Sequence, residues 1–346
     1  MKNQAAYLHG TNHMFIKEIP MPIPKENEAL VKVKVVGICG SDVHYYQHGR
    51  IGDFVVTGDL VLGHECAGEV VAVGSAVKTL SVGDRVAPEP GKTCGKCKYC
   101  KTGKYNLCPE VEFFATPPYH GVFANYVTHP EDMCFKLPDH VSYLEGALVE
   151  PLSVGLHASG IGEVKLGDTV VIFGAGCIGL VTLLSCKARG ASKVHVVDVL
   201  ENRLETARRL GATETIHAQE CNVADRIAAL TAGQGADVVI ETAGSEVTVR
   251  QTADVVSRGG TIVLVGMTAK DESSFNFMKL MGKEGQIKTI FRYRNLYPVA
   301  ISAIASGAID VKSIVSHEFD FDHVKEAFDF VVSNARDVVK AVIRID

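Results

Sequence analysis

Between about Leu166 and Phe291, short apolar stretches alternate with helical patterns, and this alternation most constrains the fold. It predicts a parallel sheet with helices on both faces, an α/β doubly wound fold. The strand candidates are Thr169–Phe173, Lys193–Asp198, Asp237–Glu241, Thr261–Gly266 and Ile287–Phe291, and helical patterns cover Leu200–Leu210 and Glu246–Ser257. The long apolar run Val170–Cys186 contains three glycines and is shorter than the roughly 20 residues of a membrane span, so we interpret it as a buried strand, turn and helix.

A glycine-rich turn, Gly174–Gly179 (GAGCIG), follows the first of these strands and precedes a helical run. In this context Gly174 permits a tight turn, Gly176 lets the backbone approach a pyrophosphate, and Gly179 lets helix and strand pack closely. Asp198 ends the next strand, where a carboxylate binds ribose hydroxyls and repels a 2′-phosphate, so NAD is favoured over NADP. The role of Arg203 stays open: its side chain lies either over the adenine or in solvent on the surface of a helix.

The first 150 residues have a different pattern, with short alternating runs such as Ala29–Val36 and Glu69–Val73 closed by Gly or Asp turns. This is typical of strands and turns. The last fifty-odd residues contain helical patterns at Pro298–Gly307 and His323–Asn334 and a strand-like segment at Val339–Ile345. We therefore predict one domain from 1–150 with 293–346, and a second from 151–292.

The composition is that of an ordinary globular protein, with 47% hydrophobic and 22% charged residues among 346. The formal net charge of −5 argues against nucleic acid or an anionic membrane surface as the partner and favours a small-molecule substrate. The first residues lack the continuous apolar core of a signal peptide, so we expect a cytoplasmic protein.

Four of the ten cysteines form the pattern C-x2-C-x2-C-x7-C at Cys94, Cys97, Cys100 and Cys108. This spacing lets one loop place four thiolates around a tetrahedral zinc, which is a closed, structural type of site. The neighbouring lysines would offset its negative charge. Two alternatives are an iron–sulfur cluster, whose usual motifs have a shorter last gap, and a zinc ribbon that binds nucleic acid, which the net charge disfavours.

A catalytic zinc needs fewer protein ligands and a vacant position. Two short segments of the first domain offer such ligands: Gly37–His44 (GICGSDVH), directly after a strand, and Gly63–Glu65 (GHE). Either segment alone is weak evidence for a metal site, because a lone Cys is usually a buried apolar residue. In combination with Glu150-Pro151, the nucleotide motif and the four cysteines, they indicate a catalytic metal site.

At these residues the chain resembles the zinc-dependent medium-chain dehydrogenase/reductase family over essentially its whole length. The likeness lies in GICGSDVH, LGHE and VEPLSVGLH, which occur across the family, and in GRIGDF at Gly49–Phe54 and FRYRNLYP at Phe291–Pro298, which look like its polyol-oxidising branch. The resemblance implies a GroES-like, mainly β catalytic domain joined to the Rossmann domain. It also implies NAD and two zinc ions, one catalytic and one structural.

The resemblance further implies that Cys39, His64 and Glu65 hold the catalytic zinc, with Glu150 beside the metal. Which of Glu65 and Glu150 is the third ligand at each stage stays open, as does the choice between Glu150 and a Ser41–His44 relay for the departing proton. The remaining implied positions are cofactor contacts at Ile178, Val265 and Phe291, and a substrate pocket lined by Tyr45, Phe113 or Phe114, Glu150, Arg292 and Tyr293.

The implied reaction is oxidation of a secondary hydroxyl of a polyol, such as sorbitol, L-iditol or xylitol, to a ketose. Alternatives within the family are a sugar-alcohol phosphate or L-threonine as substrate. A non-catalytic zinc-binding module is disfavoured by the intact Cys39, His64, Glu65 and Asp198. A zinc-independent quinone reductase would lack Cys39 and His64. The resemblance also implies a homotetramer or dimer formed partly through the Rossmann domains.

Overall fold

The computed structural model of the protein describes residues 3–268 and 272–345. By its internal contacts the chain separates into two compact units. Unit 1 comprises Met1–Glu150, Tyr297–Gly307 and Val315–Asp346, and unit 2 comprises Pro151–Leu296 and Ala308–Ile314. The domain boundaries drawn from the sequence, at 150 and 293, stay a prediction.

The strands and helices have the following bounds. The strands are β1 (Asn3–Leu8), β2 (Met14–Ile19), β3 (Glu28–Ile38), β4 (Arg50–Ile51), β5 (Phe54–Val55), β6 (Leu60–Val61), β7 (Glu65–Val73), β8 (Arg85–Pro88), β9 (Gly91–Lys92), β10 (Glu112–Phe113), β11 (Tyr126–Pro130), β12 (Cys134–Lys136), β13 (Thr169–Phe173), β14 (Lys193–Asp198), β15 (Glu214–His217), β16 (Ala236–Glu241), β17 (Val256–Leu264), β18 (Gln286–Thr289), β19 (His317–Asp320) and β20 (Ala341–Arg344). The α-helices are α1 (Gly40–His48), α2 (Lys98–Lys101), α3 (Tyr143–Ala147), α4 (Val149–Ile161), α5 (Cys177–Ala188), α6 (Glu201–Arg209), α7 (Val223–Leu230), α8 (Glu246–Val255), α9 (Phe277–Met281), α10 (Tyr297–Ala305) and α11 (Val324–Ser333). Short 3-10 helices cover Tyr105–Leu107, Glu131–Met133, Lys312–Ile314 and Phe321–His323.

Unit 1 is centred on β3. Its buried residues Val31, Val33 and Val35 alternate with the half-buried Lys32 and Lys34, so one face of the strand joins the core. In the large sheet the strand order is β12-β8-β7-β3-β20-β19, and β11 also pairs with β3. The predicted strand is therefore present, and the chain returns near its end to pair β20 with β3.

Unit 2 contains a six-stranded sheet with the order β15-β14-β13-β16-β17-β18, in which every pair is parallel. The strand order reverses direction between β13 and β16, and ligands of such folds bind at the carboxyl ends of the strands at that point. The predicted doubly wound parallel sheet is confirmed. The apolar run from Val170 forms β13, a turn and α5, as expected.

Several boundaries predicted in unit 2 are wrong, and some of its elements were not predicted. The strands predicted to end at Gly266 and Phe291 end at Leu264 and Thr289. The helix predicted to continue to Ser257 ends at Val255, because Val256 is extended (φ −68°, ψ 142°) and already pairs with Ala236 in the sheet. The strand predicted to begin at Thr261 therefore begins at Val256. Strand β15 and helices α4, α7 and α9 were not predicted. Among the helices of the described residues, none is long and apolar enough to cross a membrane.

Candidate active site and cofactor sites

Three side chains able to bind a metal meet at one end of the large sheet in unit 1. Cys39 follows β3, His64 immediately precedes β7, and Glu65 is the first residue of β7. Each offers one ligand atom, and the three atoms lie within 4.8 Å of one another. Because β3 and β7 are neighbouring antiparallel strands, their pairing brings residues that are distant in sequence to one place.

The donor set suits zinc, which is bound in proteins by cysteine sulfur, histidine nitrogen and carboxylate oxygen. Three protein ligands leave a fourth position for water or substrate, as in catalytic zinc sites. The grouping contains Glu65 and does not contain Glu150. The residues at this site therefore fit the zinc that the sequence implies.

Cys39, His64 and Glu65 are called the trio below. The buried carboxylate of Asp42 joins the two segments that supply them. One oxygen accepts a hydrogen bond from the backbone N–H of Cys39 at 3.0 Å, and the other accepts from the N–H of Gly63 at 2.9 Å. The same carboxylate lies 3.7 Å from Nδ1 of His64. Such outer groups orient metal ligands, so Asp42 is a positioning residue of this site.

The electrostatics of the trio also favour a cation. Burial alone lowers the pKa of His64, but the negative charges of Asp42 and Cys39 outweigh it and raise that pKa well above its usual value. A buried histidine whose pKa is raised by its neighbours stands in negative surroundings. The same negative charges would attract a zinc ion.

The proposed Ser41–His44 relay lies on the first turns of α1. Ser41 is half-buried, whereas the His44 side chain is exposed. Nδ1 of His44 lies 2.8 Å from the carbonyl oxygen of Arg50, which fixes the ring through a hydrogen bond. The His44 ring also contacts the His48 ring, with centroids 4.7 Å apart. The route of the proton through Ser41 and His44 stays a proposal.

The other predicted site residues of unit 1 are Phe113 or Phe114, Tyr45 and Glu150. The ring of Phe113 lies against His64, with centroids 5.8 Å apart. Phe114 packs instead on His129, at 4.6 Å, so of the two alternatives Phe113 is the one beside the trio. Tyr45 and Glu150 are buried.

Glu89 is a buried acid that the sequence analysis did not select. Its Oε1 accepts a hydrogen bond from the Tyr105 hydroxyl at 2.7 Å. Burial, together with the charge of Glu150, raises the pKa of Glu89 to about 7, although the Tyr105 hydrogen bond opposes the shift. Tyr105 belongs to the four-cysteine loop, so Glu89 connects that loop to the surroundings of Glu150.

The four predicted cysteine ligands converge in one loop. The sulfur atoms of Cys94, Cys97, Cys100 and Cys108 lie within 4.8 Å of one another. Individual separations are 3.5 Å between Cys97 and Cys100 and 4.0 Å between Cys94 and Cys100. Four sulfurs around a tetrahedral zinc at 2.3 Å are separated by about 3.8 Å, so the loop matches the ion.

Backbone amides of the loop also support thiolates. The N–H of Cys97 donates to the sulfur of Cys94 at 3.4 Å, and the N–H of Cys100 donates to the sulfur of Cys97 at 3.5 Å. Hydrogen bonds from the amides of Lys96 and Cys97 lower the pKa of Cys94 to about 7. Burial raises the pKa of Cys108 to about 11, so a bound metal is what would keep that fourth sulfur ionised.

The glycine-rich turn of unit 2 has the close approach expected of a dinucleotide-binding loop. A Cβ atom on Gly179 would lie 1.9 Å from the carbonyl oxygen of Gly174, so only glycine fits there. Gly176 caps α5, a helix that begins at Cys177, and Ile178 is half-buried in its first turn. The amide end of this helix is suited to a phosphate.

Asp198 ends β14 and is held against the same turn. One carboxylate oxygen accepts from the N–H of Ala175 at 2.6 Å, and the other accepts from the amides of Val199 and Leu200 at 2.7 Å and 3.0 Å. A guanidinium nitrogen of Arg203 would lie 3.8 Å from a Cβ on Gly176, so this side chain reaches the glycine-rich turn. Of its two interpretations, a place at the cofactor site is therefore favoured over a purely solvated one.

The remaining predicted residues also belong to unit 2. Val265 donates its N–H to the carbonyl of Glu241 at 2.9 Å, beside the carboxyl end of β16. The Arg292 guanidinium lies 4.8 Å from the centre of the Phe291 ring, which is about half exposed. Tyr293 is buried. Their assignment to cofactor and substrate stays a proposal.

Sequence reasoning missed Asp42, Glu89 and Lys340, whose ammonium group pairs with Glu65. Asp42 stands inside the quoted GICGSDVH segment, so its position beside Cys39 was the available signal. Nothing in the local sequence marks Glu89 or Lys340. Their importance arises only from strand pairing and burial.

Two family models match the chain: the alcohol dehydrogenase GroES-like domain over residues 25–139, and the zinc-binding dehydrogenase domain over residues 177–306. Fold and metal site together define a zinc-dependent oxidoreductase. The chain belongs to the zinc-dependent medium-chain dehydrogenase family, and the predicted resemblance is confirmed.

Individual relatives span the same length. The chain is 50% identical to an uncharacterized zinc-type alcohol dehydrogenase-like protein of Escherichia coli strain K12, covering 100% of this chain and 99% of the relative. It is 42% identical to sorbitol dehydrogenase of Bacillus subtilis, covering 98% and 96%. A solved oxidoreductase of unknown specificity from Escherichia coli, described as involved in membrane biogenesis, superposes with a TM-score of 0.96 at 50% identity, covering 100% of both chains.

Proposed function

We propose that the protein oxidises a secondary hydroxyl of a polyol, of the sorbitol, L-iditol or xylitol type, to a ketose with hydride transfer to NAD⁺. The observation that supports it most is the grouping of Cys39, His64 and Glu65 within 4.8 Å in a member of this family. The full-length likeness to a sorbitol dehydrogenase and the GRIGDF and FRYRNLYP segments favour a polyol as the substrate.

The chain's own residues divide the work as follows. Cys39, His64 and Glu65 would hold a zinc ion, which polarises a substrate hydroxyl and lowers its pKa by Lewis-acid interaction. Asp42 holds the segment of Cys39 and the segment of His64 together by accepting from the N–H groups of Cys39 and Gly63. The hydroxyl proton then leaves through Glu150 or through Ser41 and His44, and both routes stay part of the proposal.

Residues of unit 2 would bind the hydride acceptor. We assign NAD⁺ to Gly174, Gly176, Ile178 and Gly179, with Asp198 at the ribose hydroxyls, and Arg203, Val265 and Phe291 beside it. The carboxylate at Asp198 supports NAD⁺ because it would repel the 2′-phosphate of NADP⁺. Arg292 and Tyr293 are assigned to the substrate, since a guanidinium offers several donors to a chain of hydroxyls.

The test is an assay of NADH appearance with the zinc-loaded protein on sorbitol, L-iditol, xylitol, galactitol 1-phosphate, L-threonine and ethanol. We expect turnover on one or more free polyols that is lost on zinc removal and is much weaker with NADP⁺. A site built for many hydroxyls rejects ethanol because its polar groups would be left unpaired. Turnover on L-threonine or the phosphate alone, or turnover that survives complete zinc removal, would contradict the proposal.

We also propose that the protein forms a homo-oligomer through the edge of the unit 2 sheet. Strand β18 is the last strand of that sheet, and most of its residues are exposed. Nearby α9 exposes Phe277, Met278 and Met281. An open strand edge beside exposed apolar side chains is suited to pairing with a second copy. Light scattering during size-exclusion chromatography tests this, and a monomer at micromolar concentration would contradict it.

A further inference from the structure

The metal-site residue Glu65 has a second partner within unit 1. The Lys340 ammonium group lies 2.8 Å from Oε1 and 2.8 Å from Oε2 of Glu65 and donates to the carbonyl oxygen of Ile38 at 3.0 Å. Both residues are almost inaccessible, with 2% of Lys340 and 0% of Glu65 exposed. This is a closed ion pair in the interior, directly behind the trio.

A glycine makes this contact possible. Strand β3 lies between β7 and β20 in the sheet, and Gly37 of β3 is paired with Glu65 on one side and Val342 on the other. A Cβ atom on Gly37 would lie 2.0 Å from Oε2 of Glu65. The Glu65 side chain therefore crosses over β3 at the one residue without a side chain, and reaches the lysine that precedes β20.

The two roles of Glu65 compete. Removing one partner of a buried ion pair is costly, because the other charge is left unpaired in a low-dielectric interior. A zinc ion among Cys39, His64 and Glu65 would have to share a carboxylate whose two oxygens both lie 2.8 Å from the ammonium group. It also adds positive charge close to Lys340, which weakens its own binding through repulsion.

We propose that Lys340 is a positioning residue that competes with the metal for Glu65. It gives Glu65 a defined place when the carboxylate is not on zinc, and it weakens the hold of the site on zinc. Glu65 is thereby an exchangeable ligand, in contrast to Cys39 and His64. The inference rests on the proposed catalytic zinc site.

The experiment measures zinc release to a chromogenic chelator from four zinc-loaded proteins: wild type, Lys340→Met, Glu65→Gln and the double variant. The phase that belongs to the catalytic site is identified as the one absent from Cys39→Ala. We expect Lys340→Met to slow that phase at least tenfold, because Glu65 then has no partner except zinc. In the Glu65→Gln background the same change should alter the phase less than threefold.

Lys340→Arg is the matched control, since it keeps the charge and should release zinc within about threefold of wild type. Lys340→Gln, which keeps a donor for the Ile38 carbonyl but no charge, replaces the methionine variant should that protein not fold. Absorption of the cobalt-substituted proteins gives a second readout. The neutral variants should change the ligand-field bands, and Lys340→Arg should not.

The outcomes separate the inference from its premise. Two bound zinc ions in wild type, with release that is unchanged or faster in both neutral variants, would overturn the role of Lys340 and leave the zinc site standing. An equal effect of Lys340→Met with and without Glu65 would also overturn it, because the lysine would then act on the metal directly. One bound zinc, lost in Cys100→Ala, would overturn the catalytic zinc site and this inference together.

Discussion

The two metal sites of unit 1 are built in opposite ways. The four-cysteine site draws every ligand from one loop, and its sulfurs are held by amides of the same loop. The Cys39 site draws its ligands from the ends of two paired strands and is supported by Asp42, while Lys340 holds the carboxylate of Glu65. A site within one loop needs its metal to order the loop. A site at the ends of paired strands is instead organised by the fold before the metal binds.

The sharpest test of this contrast is removal of one ligand from the Cys39 site, which we call the sheet-based site. Cys39→Ala should lower turnover at least about a thousandfold, since metal polarisation of the substrate contributes several kcal/mol. Zinc content should fall from two ions to one per chain, with little change in thermal unfolding. Cys186→Ala, which removes a buried thiol of unit 2, serves as the control and should keep both zinc ions and most activity. Full activity in Cys39→Ala would refute the assignment.

Glu89, which accepts a hydrogen bond from Tyr105 of the four-cysteine loop, should make stability depend on pH. Its pKa is about 7 in the folded protein against an ordinary value of 4.5, so between these pH values the native state holds a proton that the unfolded chain has lost. Its contribution to the free energy of unfolding therefore declines as pH rises through this window. Glu89→Gln should gain roughly 2–3 kcal/mol relative to wild type between pH 4.5 and pH 8.

Denaturant unfolding at several pH values measures this gain, and Glu112→Gln, at an exposed position, is the control. The glutamine keeps an acceptor for the Tyr105 hydroxyl, so the loop contact itself is retained. Curves for wild type and Glu89→Gln that stay parallel across the window would show that Glu89 is ionised throughout.

Asp42→Asn tests how far the sheet-based site depends on its support. Both carboxylate oxygens accept backbone N–H groups, and an amide would turn a donor toward one of them. Loss of such outer contacts typically costs about 10- to 100-fold in metal affinity. We expect that loss at the Cys39 site alone in competition titrations, with Asp53→Asn as an exposed control. Equal weakening of both zinc sites would indicate general destabilisation instead.

Cys100→Ala should have the smallest effect on catalysis. The loop should lose its zinc, and amides of residues 94–108 should exchange faster with solvent because the four sulfurs no longer share one ion. Turnover should stay within about fivefold of wild type, reduced only through the Tyr105 contact to Glu89. Hydrogen exchange and activity on the same sample measure both. A loss as large as that of Cys39→Ala would erase the contrast between the sites.

What the sequence could predict follows the same division. The four cysteines and the Gly174–Gly179 turn are contiguous, so their spacing alone specifies the geometry. The trio was also found, because Cys39 and His64-Glu65 stand in recognisable short segments. Lys340 could not be found in this way, since its contact with Glu65 depends on the register of three strands and on Gly37. Strand β15 was missed because its residues Glu214–His217 mix polar and apolar types without alternation.

The pairing of β20 with β3 also has a consequence for the order of folding. The central sheet of unit 1 needs a strand that leaves the ribosome some three hundred residues after its partner, whereas the sheet of unit 2 closes within one continuous stretch of chain. Contacts of such long sequence separation form slowly, because a large loop must close first. During synthesis, β3 can pair with β7 and β11, but the part of its edge at Val35–Ile38 stays unpaired until β20 is made, while unit 2 can already assemble. The sheet-based metal site gains Lys340 only when that edge is filled.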